Sequence, residues 1–259
     1  MDSMLVFDRA AVRRHRDRAA GTVGAVADVL RDAAERLLDR LDDTNRTFVD
    51  ALDVGGRGVV APLLRGRGLR VVSTDLSPAM AALHGGPAVA ADEEYLPFVP
   101  HSFDLIVASL SLHWVNDLPG ALLQLRQTLR PEGLLLASLP ALGTLAELRA
   151  ALTEAETEIS GGVAPRVSPF PALRDCAHLL QRAGFSLPVA DVEDIRLLYA
   201  DPFALLADLR AAGETNAVRE RSRSVPPRGL FPAALARLPV KDGRTAVKLR
   251  MAVMTGWAG

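Results

Sequence analysis

The sequence contains very few of the residues on which disulfide frameworks, metal clusters and lysine chemistry depend. Cys176 is the only cysteine among 259 residues, which excludes an intramolecular disulfide framework and any zinc or iron–sulfur site built from several cysteines. Lys241 and Lys248 are the only lysines, and neither lies in a glycine-rich loop, which argues against a P-loop. No stretch approaches the roughly 18 consecutive apolar residues of a membrane span. We therefore expect a cytoplasmic protein without a transmembrane segment.

Neither sign of charge dominates the chain. Thirty Lys and Arg residues face 31 Asp and Glu residues, giving a formal net charge of -1. A protein without a basic field is not expected to bind nucleic acid or an anionic membrane surface. Apolar residue types make up 49% of the sequence and charged types 24%, which is typical of soluble globular proteins that bury a large core.

Short apolar runs alternate with helical patterns along the middle of the chain. Five runs are expected to form strands, at residues 48–54, 69–74, 88–90, 103–110 and 134–139. This alternation predicts a doubly wound, mostly parallel α/β sheet. Further β-like runs follow at residues 185–192, 195–199 and 246–254, so we expect the sheet to continue beyond the fifth strand.

The flanking segments divide the chain into two predicted parts. Residues 1–46 read as an N-terminal helical segment that covers a ligand or contacts a partner, and residues 47–259 as the α/β domain. Within that domain, residues 140–184 read as a helical insertion after the fifth strand, and residues 185–259 as C-terminal strands and a helix. Arg16 is one of several arginines in the first segment that we expect to meet a ligand or substrate.

Candidate ligand-binding residues follow the first two strands. Ligands bind beyond the carboxyl ends of parallel strands, where glycine turns and helix N-termini converge. Asp75 ends the second strand 22 residues after Asp53, which matches the spacing at which an acidic residue binds a ribose in nucleotide-binding units. The sequence therefore predicts a nucleoside site, whose residues at these two strand ends are Asp53, Gly55, Gly56, Gly58, Asp75 and Leu76.

The third and fourth strands end in a second polar cluster. Asp92 and Glu93 follow the third strand, where a carboxylate can accept a hydrogen bond from an adenine amino group. Ser109 ends the fourth strand and also belongs to the predicted cofactor site. A solvated turn is the alternative interpretation of the acidic loop.

Three residues after the fourth strand have both a functional and a structural interpretation. His113 is the candidate general base, or else a packed histidine bonded to the backbone. Asp117 is a second candidate catalytic residue, or the N-cap of the next helix. Trp114 is expected to stack on adenine or on a substrate guanidinium, or to belong to the core. No metal site is expected, because the other histidines lack ligand spacing; these are His15, His84, His101 and His178.

Residues 48–140 resemble the class I S-adenosylmethionine-dependent methyltransferase fold through the glycine turn, Asp75 and the acidic loop. This resemblance implies a doubly wound, mostly parallel seven-stranded sheet. A narrower resemblance, to the complex I assembly factor 5 family, covers nearly the whole chain. Its motifs are Phe7 to Arg9 with Arg13 and Arg16 to Ala20, Asp92 to Phe98, Ser109 to Leu118, Thr144 and Leu145 with Glu147 to Arg149, Pro165 to Phe170, and Gly213 and Glu214 with Asn216.

This resemblance implies a protein that binds S-adenosylmethionine and modifies a subunit of respiratory complex I during assembly. It implies a protein substrate, with an arginine of an iron–sulfur subunit as the target in relatives. It also implies a place in the cytoplasm, peripheral to the inner membrane while the complex is assembled. His113 and Asp117 are then the catalytic candidates, and Trp114 and Arg16 the substrate-facing ones.

The first glycine motif, residues 52–58, is one residue shorter than the family pattern. A contracted turn predicts weaker main-chain contacts to the cofactor, since hydrogen bonds lose strength steeply when misaligned. Three functions stay open: the protein modifier, a small-molecule or acyl-carrier carboxyl methyltransferase of the biotin-pathway type, and a cofactor-free assembly factor.

Overall fold

The computed structural model describes residues 5–259 as one mixed sheet with helices on both faces. The strands are β1 (Asp50–Val54), β2 (Arg70–Asp75), β3 (Ala88–Ala90), β4 (Phe103–Ser109), β5 (Leu129–Pro140), β6 (Phe185–Tyr199), β7 (Val240–Lys241) and β8 (Arg244–Ala258). The helices are α1 (Arg9–Ala19), α2 (Ala27–Leu38), α3 (Val60–Gly66), α4 (Pro78–Ala81), α5 (Leu118–Thr128), α6 (Ala146–Ser160), α7 (Leu173–Arg182), α8 (Pro202–Ala211) and α9 (Leu230–Leu235).

The strand order is β3-β2-β1-β4-β5-β8-β6, and β7 pairs with β8 outside this order. Strands β1 to β5 are parallel to their neighbours, whereas β8 runs antiparallel to both β5 and β6. This is the sheet of the class I methyltransferase fold, so the predicted fold class is confirmed. The order reverses between β1 and β4, which places the switch point beside the carboxyl end of β1.

The two faces of the sheet are covered by different helices. Alternate residues of each strand point to opposite faces, so Leu105 packs with α2 and α3, while the next residue, Ile106, packs with α5 and α7. Helix α5 begins after Asp117, whose Oδ1 accepts from the backbone N–H of Gly120 at 2.9 Å. The structural interpretation of Asp117 as an N-cap is therefore confirmed.

A third helical layer stands at the carboxyl ends of β4 and β5. Helices α6, α8 and α9 share one apolar cluster that includes Leu148, Leu152, Leu205 and Leu230. Helix α1 packs over Trp114, and the backbone of Phe7 pairs with that of Val218. These elements enclose the space beyond the strand ends.

The structure differs from the sequence predictions in two details. Residues 185–192 and 195–199, read as two runs, form the single strand β6, because β8 pairs with it along nearly its whole length. Helix α9 and strand β7 were not predicted, since α9 is only six residues long and contains Pro232. Residues 1–4 of the predicted N-terminal segment lie outside the described residues, and the proposed boundary at residue 46 stays a prediction. Within residues 5–259, every helix is too short or too polar to cross a membrane.

Candidate active site

The first residue of the turn that follows β1 has no room for a side chain. Gly55 has a φ angle of +67°, a conformation that residues with a Cβ atom rarely adopt. A Cβ atom at this position would lie 2.7 Å from Cβ of Ser111 and 3.2 Å from Nη1 of Arg16. Glycine is therefore required here by the close approach of its neighbours.

Asp75 ends β2 beside this turn, and its carboxylate is fully buried. Its Oδ1 accepts from the backbone N–H of Ser77 at 2.9 Å, and its Oδ2 accepts from Nη1 of Arg16 at 3.0 Å. Oε1 of Glu93 lies 3.9 Å from the same Nη1. We call the space bounded by Gly55, Asp75 and Glu93 the crevice, and the guanidinium of Arg16 fills it.

The environment of Arg16 is strongly ionic. The residue is 1% exposed, and burial by itself would lower its pKa. The charges of Asp75 and Glu93 outweigh this effect and hold the pKa of Arg16 above its usual value. Arg16 therefore stays protonated in the crevice at every pH at which the protein is folded.

Helix α1 makes a second ionic contact, with the loop after β3. The guanidinium of Arg9 donates to Oδ1 of Asp92 at 2.5 Å and also binds the carboxylate of Glu93. Its Nη1 donates to the carbonyl oxygen of Trp114 at 3.2 Å. Through Arg9 and Arg16, α1 closes the crevice over three strand ends.

The loop after β4 meets the loop after α8 at Glu214. Oε2 of Glu214 lies 2.6 Å from Nε2 of His113 and accepts from Nε1 of Trp114 at 2.7 Å. Oε1 of Glu214 lies 3.0 Å from Nη2 of Arg57, which also donates to the carbonyl oxygen of Leu110. Burial raises the pKa of Glu214, but His113 and Arg57 reverse that effect and hold the pKa far below its usual value. Glu214 is therefore a half-buried carboxylate that its neighbours hold in the charged form.

A cavity of about 450 Å³ extends outward from this cluster. Arg57, His113 and Glu214 line it, and the charges of Arg57 and Glu214 also act on Arg16 in the crevice. Most of its wall is apolar and comes from the third helical layer, β6 and the loop after α6, including Leu148, Leu152, Phe170, Leu197, Leu205 and Phe231. Gly213 packs against α1, because a Cβ atom there would lie 3.4 Å from Cα of Arg16.

The structure brings most of the predicted site residues to this edge of the sheet. Gly55, Asp75, Asp92, Glu93 and Arg16 meet at the crevice, and His113 and Trp114 line the cavity. Ser109 is buried at the end of β4 opposite Ser138. Leu76 packs against the apolar side of α1. The acidic loop is thus a paired ionic cluster, and the alternative of a solvated turn is wrong for Glu93.

Other predicted residues lie apart from it. Asp53 is buried behind the glycine turn, where its Oδ2 lies 3.0 Å from Nδ1 of His84. The other two glycines of the turn face protein atoms: Gly56 packs on Asp53, and Gly58 packs on Leu83. Asp117 is exposed at the start of α5.

Sequence reasoning missed Arg9, Arg57 and Glu214 as residues of the site. Glu214 belongs to a motif quoted for the resemblance, which is the signal that could have pointed to it. Arg57 stands inside the glycine turn, where the glycines, and not the arginine, are the recognised signal of a ligand site. Its partner Glu214 is 157 positions away, so no local pattern joins the two.

Several polar atoms at this edge are buried and lack a hydrogen-bond partner. They include Nε and Nη2 of Arg16, Oγ of Ser111, Nε of Arg57 and Nδ1 of His113. Native proteins leave few such atoms unsatisfied, so a cluster of them indicates a place built for a polar ligand. Within residues 5–259, no group of three or more His, Cys, Asp or Glu side chains is arranged to hold a metal ion.

Comparison with known proteins agrees with this geometry. A methyltransferase-domain family profile matches residues 52–137. The chain is 36% identical over 266 aligned residues to the mitochondrial arginine-hydroxylase NDUFAF5 of Danio rerio, covering 98% of this chain and 83% of that protein. The chain belongs to the NDUFAF5 family. It also shares 38% identity with a malonyl-[acyl-carrier protein] O-methyltransferase of a Methylovorus strain, over 90% of this chain and 82% of that protein.

A solved structure supports the fold alone. A methyltransferase-fold protein of Bacillus halodurans superposes with a TM-score of 0.56 at 17% identity, covering 86% of this chain and 99% of that one. Taken together, these likenesses establish a methyltransferase-like transferase.

Proposed function

We propose that this chain binds S-adenosylmethionine and modifies an arginine side chain of a protein substrate during the assembly of respiratory complex I. The relatives are named arginine-hydroxylases, which supports an arginine as the target residue. The observation that carries the proposal is the position of Glu214, which lines the apolar cavity and whose charge acts on Arg16 in the crevice. A cofactor in the crevice and an acceptor side chain in the cavity would meet near Glu214.

The residues at the crevice fit the proposed cofactor. Asp75 offers a carboxylate to ribose hydroxyls, Gly55 offers bare main chain, and Asp92 offers an acceptor for the adenine amino group. Bound S-adenosylmethionine would supply an electrophilic methyl group. Because Arg16 is paired with Asp75, binding requires that α1 withdraw this guanidinium or turn it toward the ligand.

His113 is the proposed proton acceptor. Glu214 is a carboxylate and only accepts hydrogen bonds, so the proton of a neutral His113 ring is placed on Nε2. Nδ1 then carries a lone pair, and it has no hydrogen-bond partner. Glu214 thus holds the ring in the tautomer that can take a proton from an acceptor group.

Calorimetric titration with S-adenosylmethionine tests the cofactor. We expect micromolar binding by the wild type and about tenfold or weaker binding by Asp75→Ala, which loses an acceptor worth roughly 1 to 3 kcal/mol. Asp50→Ala is the matched control, since Asp50 begins β1 at the opposite end of the sheet. If no binding heat is released up to millimolar cofactor, the proposal is contradicted. That result would favour the cofactor-free assembly factor, with which a crevice filled by Arg16 is also consistent.

The reaction product distinguishes an arginine-modifying enzyme from a malonyl-carrier methyltransferase. Mass spectrometry of an arginine-containing complex I peptide would show the mass of either an added methyl group or an added oxygen atom. The alternative, a malonyl-carrier methyltransferase, has support from the relative named above and from Arg57, a cation at the inner end of the cavity. Methylation of a malonyl carrier with no change in the peptide would overturn the leading proposal.

A further inference from the structure

Glu214 lines the cavity, and its charge also acts on Arg16 in the crevice. Its Oε2 is fixed by His113 and Trp114, whereas its Oε1 makes no hydrogen bond of good geometry despite lying 3.0 Å from Arg57. The side chain is 17% exposed and lines the cavity, but Oε1 itself is buried beside Arg57. A donor that enters from the cavity therefore reaches Oε1 by taking the place of the Arg57 guanidinium.

Arg57, the partner of Glu214, can be displaced and still keep a hydrogen-bond acceptor. Arg57 also donates to the carbonyl oxygen of Leu110, so it keeps an acceptor when Glu214 binds something else. Burial lowers the pKa of Arg57, and the charge of Glu214 only partly offsets this. The ion pair between Arg57 and Glu214 is therefore one that an incoming cation can replace.

The charge of the surrounding cluster favours a cation over an anion. Four carboxylates, those of Asp75, Asp92, Glu93 and Glu214, are paired with three guanidiniums, those of Arg9, Arg16 and Arg57. The other charged residues of the cavity lining balance in number: Arg166 is paired with Glu156, Arg221 with Asp8, and Arg210 is matched by Asp208. An anionic acceptor placed beside Glu214 would add a fifth negative charge in a buried setting. The apolar cavity wall suits the aliphatic stem of a side chain whose charged tip reaches Glu214.

We propose that Glu214 is the specificity-determining residue, which receives the guanidinium of the acceptor side chain from the cavity. This inference rests on the proposed function and deepens it, because it assigns the recognition of a cationic acceptor to one carboxylate. Because Oε2 is held by His113 and Trp114, the guanidinium binds Oε1 through a charge-assisted hydrogen bond, which a neutral urea group forms more weakly.

The test measures binding and does not depend on turnover. N-acetylarginine methylamide and its citrulline counterpart, which is neutral and nearly isosteric, are titrated into the full chain. The indole N–H resonance of Trp114 is the reporter because this group donates to Glu214, and that of Trp257 is the internal reference. We expect the arginine compound to shift Trp114 with at least about tenfold higher affinity than the citrulline compound, as a charge-assisted bond predicts.

Glu214→Gln keeps the shape of the side chain and removes its charge, so the preference for arginine should fall to about twofold or less. Glu214→Asp keeps the charge and should retain part of the preference, which separates recognition from folding. Asp208→Asn probes the other carboxylate of the cavity wall. The inference is overturned if Glu214→Gln, with an unchanged Trp257 resonance, binds arginine and citrulline as the wild type does, or if Asp208→Asn abolishes the preference instead.

The outcomes also separate this inference from the proposed function. Suppose that Glu214→Gln loses the preference for arginine and that the wild-type chain leaves the complex I peptide unmodified. These results support the role of Glu214 in recognition and contradict the proposed reaction. A modified peptide without discrimination between arginine and citrulline supports the reaction and sinks the role of Glu214. A preference for N-acetylaspartate methylamide over the arginine compound would overturn the inference directly.

Discussion

The crevice and the cavity lie at the same edge of the sheet, but the crevice is filled by side chains and the cavity is open. The crevice is filled by charged side chains: Arg16 and Asp75 are 1% and 0% exposed and pair across 59 residues of sequence. The cavity next to it leaves about 450 Å³ open and is walled mainly by leucine and phenylalanine side chains. The first space is closed by electrostatics, and the second is held open by rigid packing.

Because of this difference, a ligand has to displace more in the crevice than in the cavity. An ion pair in the crevice must be exchanged before any ligand can reach Asp75, so α1 controls access there. The cavity is already formed, so its ligand has little to displace. The comparison makes three predictions, which run from the largest effect on stability to the smallest.

Asp75→Ala should cause the largest loss of stability. It leaves the guanidinium of Arg16 buried without its main partner, and breaking a buried pair in this way costs about 3 to 5 kcal/mol. Glu93, 3.9 Å away, compensates only in part, so we expect the lower end of that range. Urea unfolding of the cofactor-free chain measures the effect.

The double variant Arg16→Leu/Asp75→Ala sharpens this result. Removing both charges leaves neither member of the pair buried without its partner, so the double variant should recover at least half of the loss. Asp50→Ala removes a carboxylate from an exposed pair with Arg70 and should cost far less. If Asp75→Ala is no less stable than Asp50→Ala, the crevice is not closed by electrostatics and the comparison fails.

Gly55→Ala tests how full the crevice is. The added Cβ atom would lie 2.7 Å from Ser111 at a positive φ angle, and we expect a loss of about 2 kcal/mol or more. Leu209→Trp adds far more volume to the cavity wall, yet should change stability by less than about 1 kcal/mol because the space is open. Both free energies of unfolding come from urea titration.

Gly21→Ala is the matched glycine control, since its Cβ atom would have no neighbour within 4 Å. It should be neutral or slightly stabilising. A Leu209→Trp variant that loses as much stability as Gly55→Ala would show that the cavity closes in solution, and the contrast between the two spaces would be lost.

How far the sequence predicts this arrangement follows from the range of each interaction. The strands, their order of appearance and the position of Asp75 are local features, because apolar runs and glycine turns are set by neighbouring residues. The cap formed by Asp117 is local as well. These features were predictable.

The pairing that closes the crevice was not predictable in the same way. The arginines of α1 were expected to meet a ligand or a partner, but their actual partners are Asp75, Asp92 and Glu93. Arg57 and Glu214 meet only because α8 returns the chain to the end of β4. Such contacts depend on tertiary packing, and neither composition nor spacing specifies them.

Asp117→Ala should have the smallest effect and decides between the two interpretations of this residue. As an N-cap whose Oδ1 binds the N–H of Gly120, Asp117 should contribute about 1 kcal/mol to stability. Asp201→Ala, at the start of α8, is the matched cap variant and should cost a similar amount. Urea unfolding of both variants measures this.

Turnover of the peptide substrate then separates a cap from a base. Asp117 is exposed and points its oxygen at its own helix, whereas His113 is buried beside Glu214 and holds a free ring nitrogen. Loss of a general base slows a reaction by about 10² to 10⁴-fold, whereas loss of a cap leaves the folded enzyme at full rate. We expect His113→Ala to show the first behaviour and Asp117→Ala the second. A large fall in rate with Asp117→Ala at unchanged stability would move the chemistry to the start of α5, outside both the crevice and the cavity.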